Sequence, residues 1–382
     1  MKESCFVFIE SNTSGTGKIF IDKAKELCFK VIFFCSDPGK YLFLKSTEVE
    51  LHICDTTSFE LTVNEINKLK RIFEICGVWS SSDRFVELAS RIALNFSLPG
   101  PDPVAISSCR DKLMQKKLCK KLKIKTPQSE ILTREVWLTK KIDFPVILKP
   151  RTGTGSSGVF LAYSKDEIKK YAGEEFLIEE FIKGQEYSIE IFDAEVICVV
   201  KKHTSELPYF IETGHDIGFD LDPKIIKAFK IWGRKVALDF NLAWGPIHIE
   251  CKLIDDEPTL IEINPRLAGG YIPVAIQKAG WDDLILLTIM KCSGINYEEI
   301  KSGTNSAIIR FIIPDKEGNL RISYPDLIDG EVIFYDNHSH YAKHNDFRDR
   351  VGHVLMWGSK FKELENKMNK TIQNIFFEHE DH

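Results

Sequence analysis

The first hundred residues alternate between short apolar segments and amphipathic segments, and this alternation constrains the fold more than any other feature of the chain. The pattern predicts strands at residues 5–9, 31–35 and 77–80, and helices at residues 19–28, 60–73 and 84–95. Strands that alternate with helices form a parallel sheet. Ligands bind at the carboxyl ends of strands in such a sheet, so the loops at residues 11–17, 36–40 and 80–83 are candidate binding edges.

The loop SNTSGTGK at residues 11–18 has the composition of a phosphate-binding loop but not its spacing. That motif needs Gly at position 12 and Ser or Thr at position 19, where this chain has Asn12 and Ile19. Two interpretations stay open here, a small-anion site at the start of the following helix and a simple turn.

The composition is that of a globular protein, with 382 residues, 43% apolar residues and a net charge of −5. This length allows two or three domains, and this charge gives no general attraction to nucleic acid. The ten cysteines include no C-x-x-C pair, which indicates reduced thiols and a cytoplasmic location. We expect no membrane segment and no signal peptide. The lysines between residues 116 and 125 are interpreted as one solvated helix face.

The rest of the chain divides at a proline-rich linker, LPGPDP at residues 98–103. After it the pattern predicts one helix at 104–122, and then a strand, a glycine loop, a helix and two more strands within 144–197. A mixed tail begins near residue 307 and ends in a helix at 360–376. The domain boundaries predicted from these breaks are 1–101, 102–185, 186–306 and 307–382.

A predicted hairpin near residue 255 carries the clearest chemical signal. The segments HIE and LIEINPR are two short apolar strands joined by an acidic turn. Glu262 and Asn264 are two positions apart and therefore face the same side of a strand, where Glu250 can join them. Such hard oxygen ligands suit Mg²⁺ held against nucleotide phosphates. Arg266 follows directly and could neutralise charge on a transferred phosphoryl group.

Two further segments favour a nucleotide site. Lys149 ends an apolar strand and is followed by a glycine- and hydroxyl-rich loop whose backbone amides can approach phosphate oxygens. An acidic segment that begins at Glu179 comes next, where a strand edge could bind adenine and a carboxylate could bind ribose. Each segment alone is also compatible with an ordinary hairpin turn or a solvated acidic turn.

The order of these features resembles the ATP-grasp superfamily, in the branch that contains L-amino-acid ligases and biotin-carboxylase-like enzymes. The ordered features are Lys112, Lys149, the glycine loop, the acidic segment and the E…E-x-N-P-R hairpin, and the resemblance covers most of the chain. It implies a mixed α/β and α+β fold, with an N-terminal parallel-sheet domain, a central two-lobed ATP-grasp portion and a small C-terminal lobe. A homodimer through the first domain is expected by analogy.

The resemblance also implies roles for residues of this chain. The implied nucleotide-binding set is Lys112, Lys149, Gly153, Thr154, Gly155, Ser156, Ser157, Gly158, Glu179, Glu180, Phe181, Ile182 and Glu186. The implied metal ligands, for Mg²⁺ with Mn²⁺ as a substitute, are Glu250, Glu262 and Asn264. The implied catalytic residues are Arg266, which would stabilise an acyl phosphate, and His248, for which a structural role on the strand is the alternative.

Substrate residues are predicted from three segments. In a string that resembles a substrate loop of the ligase branch, Glu212 could bind an ammonium group and His215 could face the reacting carboxylate. Gly269 and Gly270 could present bare amides to a carboxylate, or simply form a turn before a helix. Arg84 could clamp a carboxylate, with a structural ion pair as the favoured alternative. His338, His340 and His344 look like a metal cluster, but a solvated loop is favoured.

The expected activity is ATP- and Mg²⁺-dependent ligation of a small-molecule carboxylate, an amino acid, to an amine through an acyl phosphate. A Ser-His-Asp or Cys-His nucleophile pattern is not found, which fits a reaction that needs no protein nucleophile. Two alternatives stay open, a biotin-carboxylase-like enzyme that activates bicarbonate and a nucleotide-binding module without catalysis. The expected partners are small molecules only.

Overall fold

The structure is a computed structural model that describes residues 2–13, 16–323, 330–335 and 341–379. Within these ranges the strands form sheets of four, four, eight and two strands. The mixed α/β architecture with an N-terminal parallel sheet agrees with the fold predicted from the sequence.

The N-terminal parallel sheet has the strand order β3-β2-β1-β4. Its elements are β1 (Glu3–Ile9), α1 (Thr16–Glu26), β2 (Lys30–Cys35), β3 (Glu50–Ile53), α2 (Phe59–Leu69), β4 (Phe73–Trp79) and α3 (Val86–Asn95). The predicted alternation is confirmed, but β3 was missed because it is a short edge strand whose residues are at most half-buried. The predicted helix 60–73 was also too long, since its last residue, Phe73, already begins β4.

A four-stranded antiparallel sheet follows, with the order β5-β8-β6-β7. This part of the chain contains α4 (Pro103–Arg110), α5 (Lys112–Leu122), β5 (Ser129–Ile131), α6 (Arg134–Thr139), β6 (Val146–Pro150), β7 (Phe160–Ala162), α7 (Lys165–Ile168) and β8 (Phe176–Glu180). The prediction of one helix over 104–122 was wrong. Asp111 interrupts it with an extended backbone, and its carboxylate caps α5 by accepting from the amides of Leu113 and Met114.

The eight-stranded sheet is antiparallel, with the order β13-β12-β9-β10-β11-β14-β17-β16. This part contains β9 (Glu186–Phe192), β10 (Glu195–Thr204), β11 (Glu212–Ile217), α8 (Pro223–Asp239), β12 (Pro246–Ile254), β13 (Glu257–Asn264), α9 (Ile272–Lys278), α10 (Leu284–Cys292), β14 (Ser306–Ile312), β15 (Leu320–Ser323), β16 (Glu331–Phe334), β17 (Gly352–Gly358), α11 (Phe361–Gln373) and β18 (Phe376–His379). The last predicted helix therefore ends three residues early, and β15 pairs with β18.

The N-terminal sheet and the eight-stranded sheet share one apolar core. Phe6 and Trp79 of the N-terminal sheet, Ile285 of α10 and Ile309 of β14 belong to the same buried cluster. Burial of apolar area is the main stabilising contribution to such a contact. This shared core places the carboxyl ends of β1 and β4 beside the segment that follows β13.

Candidate active site

A cleft of about 800 Å³ lies where the four-stranded sheet, the eight-stranded sheet and the carboxyl ends of β1 and β4 meet. Most of the residues predicted for function line it. Those that line the cleft are Arg84, Lys112, Lys149, Gly153, Thr154, Gly155, Ser156, Ser157, Glu179, Glu180, Phe181, Ile182, Glu186, Glu212, His248, Glu250, Glu262, Asn264, Arg266, Gly269 and Gly270. Gly158 and His215 are not among its lining residues.

The predicted hairpin is formed by β12 and β13. Glu250 pairs with Glu262 across the two strands, and His248 pairs with Asn264, so these four side chains share one face. The turn residues Asp255 and Asp256 both have positive φ, as a tight two-residue hairpin turn requires.

The donor set on this hairpin fits Mg²⁺. Two carboxylates and one amide oxygen are hard ligands, and the side chains of Glu250 and Glu262 are each 20% exposed on the cleft side. Lys112 Nζ lies 3.4 Å from Glu262 Oε1, near enough to share phosphate oxygens with a metal bound there. Within the described ranges, three or more His, Cys, Asp or Glu side chains do not come together as a metal site, so a metal here would complete its shell with nucleotide oxygens and water.

On the four-stranded sheet, one buried carboxylate binds two lysines. Glu179 on β8 contacts Lys149 Nζ of β6 at 2.8 Å and Lys116 Nζ of α5 at 2.9 Å. Burial acts to raise the pKa of Glu179, but the two ammonium groups outweigh it and hold the pKa below its usual value. The Lys116 side chain is 6% exposed, so the interpretation of residues 116–125 as one solvated face was wrong at this position.

The Glu179 cluster changes how the predicted adenine segment can work. The Glu179 side chain is bound to the two lysines. The groups of this segment that a nucleotide could contact are the backbone amides and carbonyls of Phe181 and Ile182, which line the cleft. The carbonyl of Ile182 accepts from Lys252 Nζ at 3.2 Å. Adenine binding at this edge would therefore use backbone groups rather than the Glu179 carboxylate.

The glycine loop after β6 adopts backbone conformations that only glycine adopts readily. Gly153, Gly155 and Gly158 all have positive φ, and a Cβ at Gly155 would lie 2.4 Å from Phe347. Lys112 Nζ donates to the carbonyl of Gly153 at 2.6 Å. The loop is therefore hydrogen-bonded to Lys112 at one end and lies against Phe347, in the segment before β17.

On the eight-stranded sheet, one buried lysine binds three carboxylates. Lys202 on β10 is 2% exposed, and its Nζ lies 3.0 Å from Glu186, 2.8 Å from Glu212 and 3.0 Å from Glu250. Burial acts to lower the pKa of Lys202, but the three carboxylates raise it well above its ordinary value. Lys202 was not predicted from the sequence, since a lysine in a polar strand segment belongs to no motif.

Glu212 has a second cation partner. Its Oε2 accepts from Arg350 Nη2 at 2.9 Å, and Arg350 also lies over the ring of Phe311. Burial acts to raise the pKa of Glu212, yet Lys202 and Arg350 hold it well below its usual value. A substrate ammonium group would therefore meet a carboxylate that is already neutralised on both oxygens.

The two predicted histidines have opposite surroundings. His248 contacts Glu190 through Nδ1 at 2.8 Å and Glu250 through Nε2 at 3.2 Å; burial acts to lower its pKa, but the carboxylates raise it to about 9. His215 is fully buried, its ring nitrogens have no hydrogen-bond partner among the described residues, and burial lowers its pKa to about 3. A Cβ at Gly270 would lie 2.8 Å from His215 Nε2, so a glycine at this position lets the backbone approach the imidazole ring closely.

Arg266 is bound by a residue that the sequence analysis did not single out. Its Nε and Nη2 donate to the two carboxylate oxygens of Asp83, which follows β4 in the N-terminal domain. Burial acts to lower the pKa of Arg266, but Asp83 keeps it above its ordinary value. Arg84, which was predicted instead, is exposed and lies over the ring of Phe85.

The predicted histidine loop is only partly covered by the structure. His338 and His340 lie outside the described residues. The backbone amide of His344 donates to Asp349 Oδ1 at 2.6 Å. Among the residues that are described, a helix long and apolar enough to cross a membrane is not found.

Comparison with known families identifies the central part of the chain. A model described as an ATP-grasp domain matches residues 162–274, and a model described as a RimK-like ATP-grasp domain matches residues 109–207. The two matches together include the four-stranded sheet with its glycine loop and the β12–β13 hairpin.

Two curated relatives match over different lengths. Uncharacterized protein y4rH of Sinorhizobium fredii is 27% identical over 95% of this chain and 81% of its own length. A D-alanine–D-alanine ligase of Bacillus anthracis is 30% identical, but this alignment covers 30% of the chain and 41% of the ligase. The chain therefore matches less than half of that ligase.

The crystal structure of an L-amino acid ligase from Bacillus licheniformis has the same fold. The two structures superpose with a TM-score of 0.82 over 100% of both chains, at 17% sequence identity. At this identity the similarity concerns the arrangement of elements.

Proposed function

This chain is a member of the ATP-grasp superfamily, and from that premise we propose that it is an ATP- and Mg²⁺-dependent carboxylate–amine ligase. In this proposal the acyl donor is a small-molecule carboxylate, an amino acid, and the acceptor is an amine. ADP and phosphate are the other products.

One observation carries the proposal, the meeting of two kinds of site in a single cleft. One wall carries Lys112, Lys149 and the glycine loop, which suit phosphate oxygens. The other wall carries the oxygen donors of the β12–β13 hairpin, with Arg266 directly after them. Phosphoryl transfer requires this combination of phosphate binding, a metal and a guanidinium near the developing charge.

The proposed reaction has two steps. A carboxylate oxygen attacks the γ-phosphorus, the bond to the β-phosphate oxygen breaks, and ADP leaves. The neutral amine nitrogen then attacks the carbonyl carbon of the acyl phosphate, the carbon–oxygen bond breaks, and the leaving phosphate takes the bonding electron pair and the proton that the nitrogen loses. Bound Mg²⁺ would neutralise phosphate charge. The chain's own residues align the reactants and stabilise charge, because the activated carbonyl needs no protein nucleophile.

The choice of an amino acid as the acyl donor is supported by the relatives and by the charges in the cleft. The relatives named above include ligases that are named for amino acids. Charged groups of both signs, Glu212 with Arg350, also line the cleft, as does the bare backbone of Gly269 and Gly270. A zwitterionic substrate could place its carboxylate at Arg350 and its ammonium at Glu212, in place of the ion pair that joins these two residues.

The test is ATP consumption with Mg²⁺, scored as ADP against AMP. The panel contains single amino acids, pairs of amino acids, polyamines and bicarbonate. We expect ADP and phosphate only with particular carboxylate–amine pairs. ADP with bicarbonate alone would establish a carboxylase instead. AMP as the product would exclude the acyl-phosphate route, and ATP binding without turnover across the panel would favour a non-catalytic module.

A further inference from the structure

The guanidinium group of Arg266 is held by two acceptors on different parts of the chain. Nε and Nη2 donate to Asp83, and Nη1 donates to the carbonyl of Leu267 at 2.7 Å. Asp83 is 183 positions away in sequence. The side chains are 13% and 21% exposed, so both are largely shielded from water.

The contacts leave a defined part of Arg266 available. A guanidinium has five N–H groups, and among the described residues Asp83 and Leu267 use three of them. One N–H remains on each of the two terminal nitrogens, Nη1 and Nη2. Such a pair binds two oxygens of a phosphate or carboxylate at once. Because Arg266 lines the cleft, these two groups can reach an anion there.

We propose that Asp83 is a positioning residue that orients Arg266 so that its terminal N–H pair binds the phosphoryl group of the acyl phosphate. The identity of that anion rests on the proposed function. Asp83 itself acts through Arg266, because both carboxylate oxygens are occupied by the guanidinium.

The surroundings of Asp83 support this role. It lies in the turn between β4 and α3, where the amides of Phe85 and Val86 donate to the carbonyl of Ser82 at 3.0 and 2.9 Å. The amide of Ser82 also donates to Ser80 Oγ at 3.2 Å. The turn is therefore held on both sides of Asp83. This would make the N-terminal sheet part of the catalytic geometry, since a rigid acceptor limits how far the guanidinium can rotate.

The first test compares turnover of Asp83→Asn with that of the wild-type chain. An amide offers one acceptor oxygen and a clashing NH₂ group, so Arg266 loses its paired contact. We expect kcat to fall roughly tenfold to a hundredfold with little change in KM for ATP, since the loss of an oriented donor to a developing charge has effects of this order. The matched control is Glu87→Gln, which breaks another carboxylate–arginine pair between α3 and α4. The control should keep kcat within about twofold.

A double variant separates positioning from simple destabilisation. Lysine lacks the planar N–H pair, so in an Arg266→Lys background Asp83→Asn should lower kcat by no more than about threefold further. Equal effects of Asp83→Asn in both backgrounds would overturn the proposal. An unchanged kcat in the single variant would do so as well.

A second measurement does not depend on knowing the substrate. The Nε–H signal of Arg266 can be assigned by NMR from its loss in Arg266→Lys. It should exchange slowly with water in the wild-type chain and in Glu87→Gln, and rapidly in Asp83→Asn. Rapid exchange in all three chains would overturn the positioning role. If the substrate panel gives no turnover, the proposed function fails, and this signal alone decides whether Asp83 holds Arg266.

Discussion

Two lysine–carboxylate clusters line the same cleft from two sheets, and their charge balance is opposite. On the four-stranded sheet, Glu179 lies between Lys149 and Lys116, two cations against one carboxylate. On the eight-stranded sheet, three carboxylates surround Lys202. Arg350 and the protonated His248 are further cations bonded to them, and His248 is shared with a fourth carboxylate, Glu190. Each cluster neutralises enough charge to be buried, and each leaves one sign uncompensated.

The difference fits the proposal that one cleft binds both a polyanion and a divalent cation. The cationic wall, with Lys112 and Lys149, would lower the free energy of bound phosphates. The anionic wall, with Glu250 and Glu262, would lower that of Mg²⁺ between those phosphates and the hairpin. Unit charges 4 Å apart interact by about 4 kcal/mol at the effective dielectric of a protein surface. A wall of one sign only would favour one of the two ligands and oppose the other.

The largest expected effect is on the anionic wall. Glu262→Ala removes one of two carboxylates from the proposed metal site, and we expect Mg²⁺-dependent turnover to fall about a thousandfold or more. Steady-state ADP release measures it. Glu257→Ala in the same hairpin, whose side chain is 70% exposed, is the matched control. Near-normal turnover of Glu262→Ala would exclude this metal site.

The next largest expected effect is on the stability of the fold, through Lys202 and the three carboxylates that surround it. Lys202→Met leaves three largely buried carboxylates without their shared, fully buried cation, and we expect a loss of about 3–5 kcal/mol in the free energy of unfolding at pH 7. Urea denaturation measures it, with Lys201→Met on the same strand as the control. The loss should shrink at pH 5, because protonation relieves the repulsion among the carboxylates. An equal loss at both pH values would contradict the cluster as described.

The roles of the two lysines that bind Glu179 can be tested separately. Lys149 lines the cleft and Lys116 does not, although both contact Glu179. Lys149→Ala should weaken binding of a non-hydrolysable ATP analogue by roughly tenfold to a hundredfold, measured by calorimetry. Lys116→Ala should chiefly lower thermal stability. Equal losses of affinity would show that the cluster acts as one charge rather than through direct contact by Lys149.

The smallest effect is on the pH dependence of stability. The pKa of His248 is raised from 6.5 to about 9 in the folded chain, so its contribution is complete below pH 6.5 and is lost as the pH rises through 9. We expect about 1–2 kcal/mol to be lost between pH 7 and 8.5. His248→Gln should remove this decline. If the alkaline decline persists in His248→Gln, groups other than His248 cause it.

His215 acts on the acid side. Its pKa is lowered to about 3, so it destabilises the fold as the pH falls below 6.5.

Much of the fold could be predicted from local patterns. Alternating apolar segments determine the strand and helix types of the N-terminal sheet, and the spacing of two determines that Glu262 and Asn264 share a face. The errors occurred where local patterns are weak or compete. Strand β3 is short and at most half-buried, and Asp111 prefers to cap a new helix rather than continue the old one.

Local sequence patterns could not predict which charged side chains form ion pairs with one another. Lys116 and Lys117 are adjacent in one helix, yet Lys116 is buried against Glu179 and Lys117 is exposed. Lys202 is likewise buried among carboxylates beside the half-buried Lys201, and Asp83 is bound to Arg266 beside the exposed Arg84. The immediate neighbours in sequence do not distinguish the member of each pair that forms the buried ion pairs.

The sequence alone therefore determined the element types, the oxygen-donor hairpin and the glycine loop, because these follow from interactions between residues close together in the chain. Only the tertiary structure decided that Lys202 joins three carboxylates and that Asp83 holds Arg266. Those contacts link segments as far as 183 positions apart, and they arise from how the sheets pack on their shared core. Burial then gives each contact its strength, because a charge removed from water must find its partner within the fold.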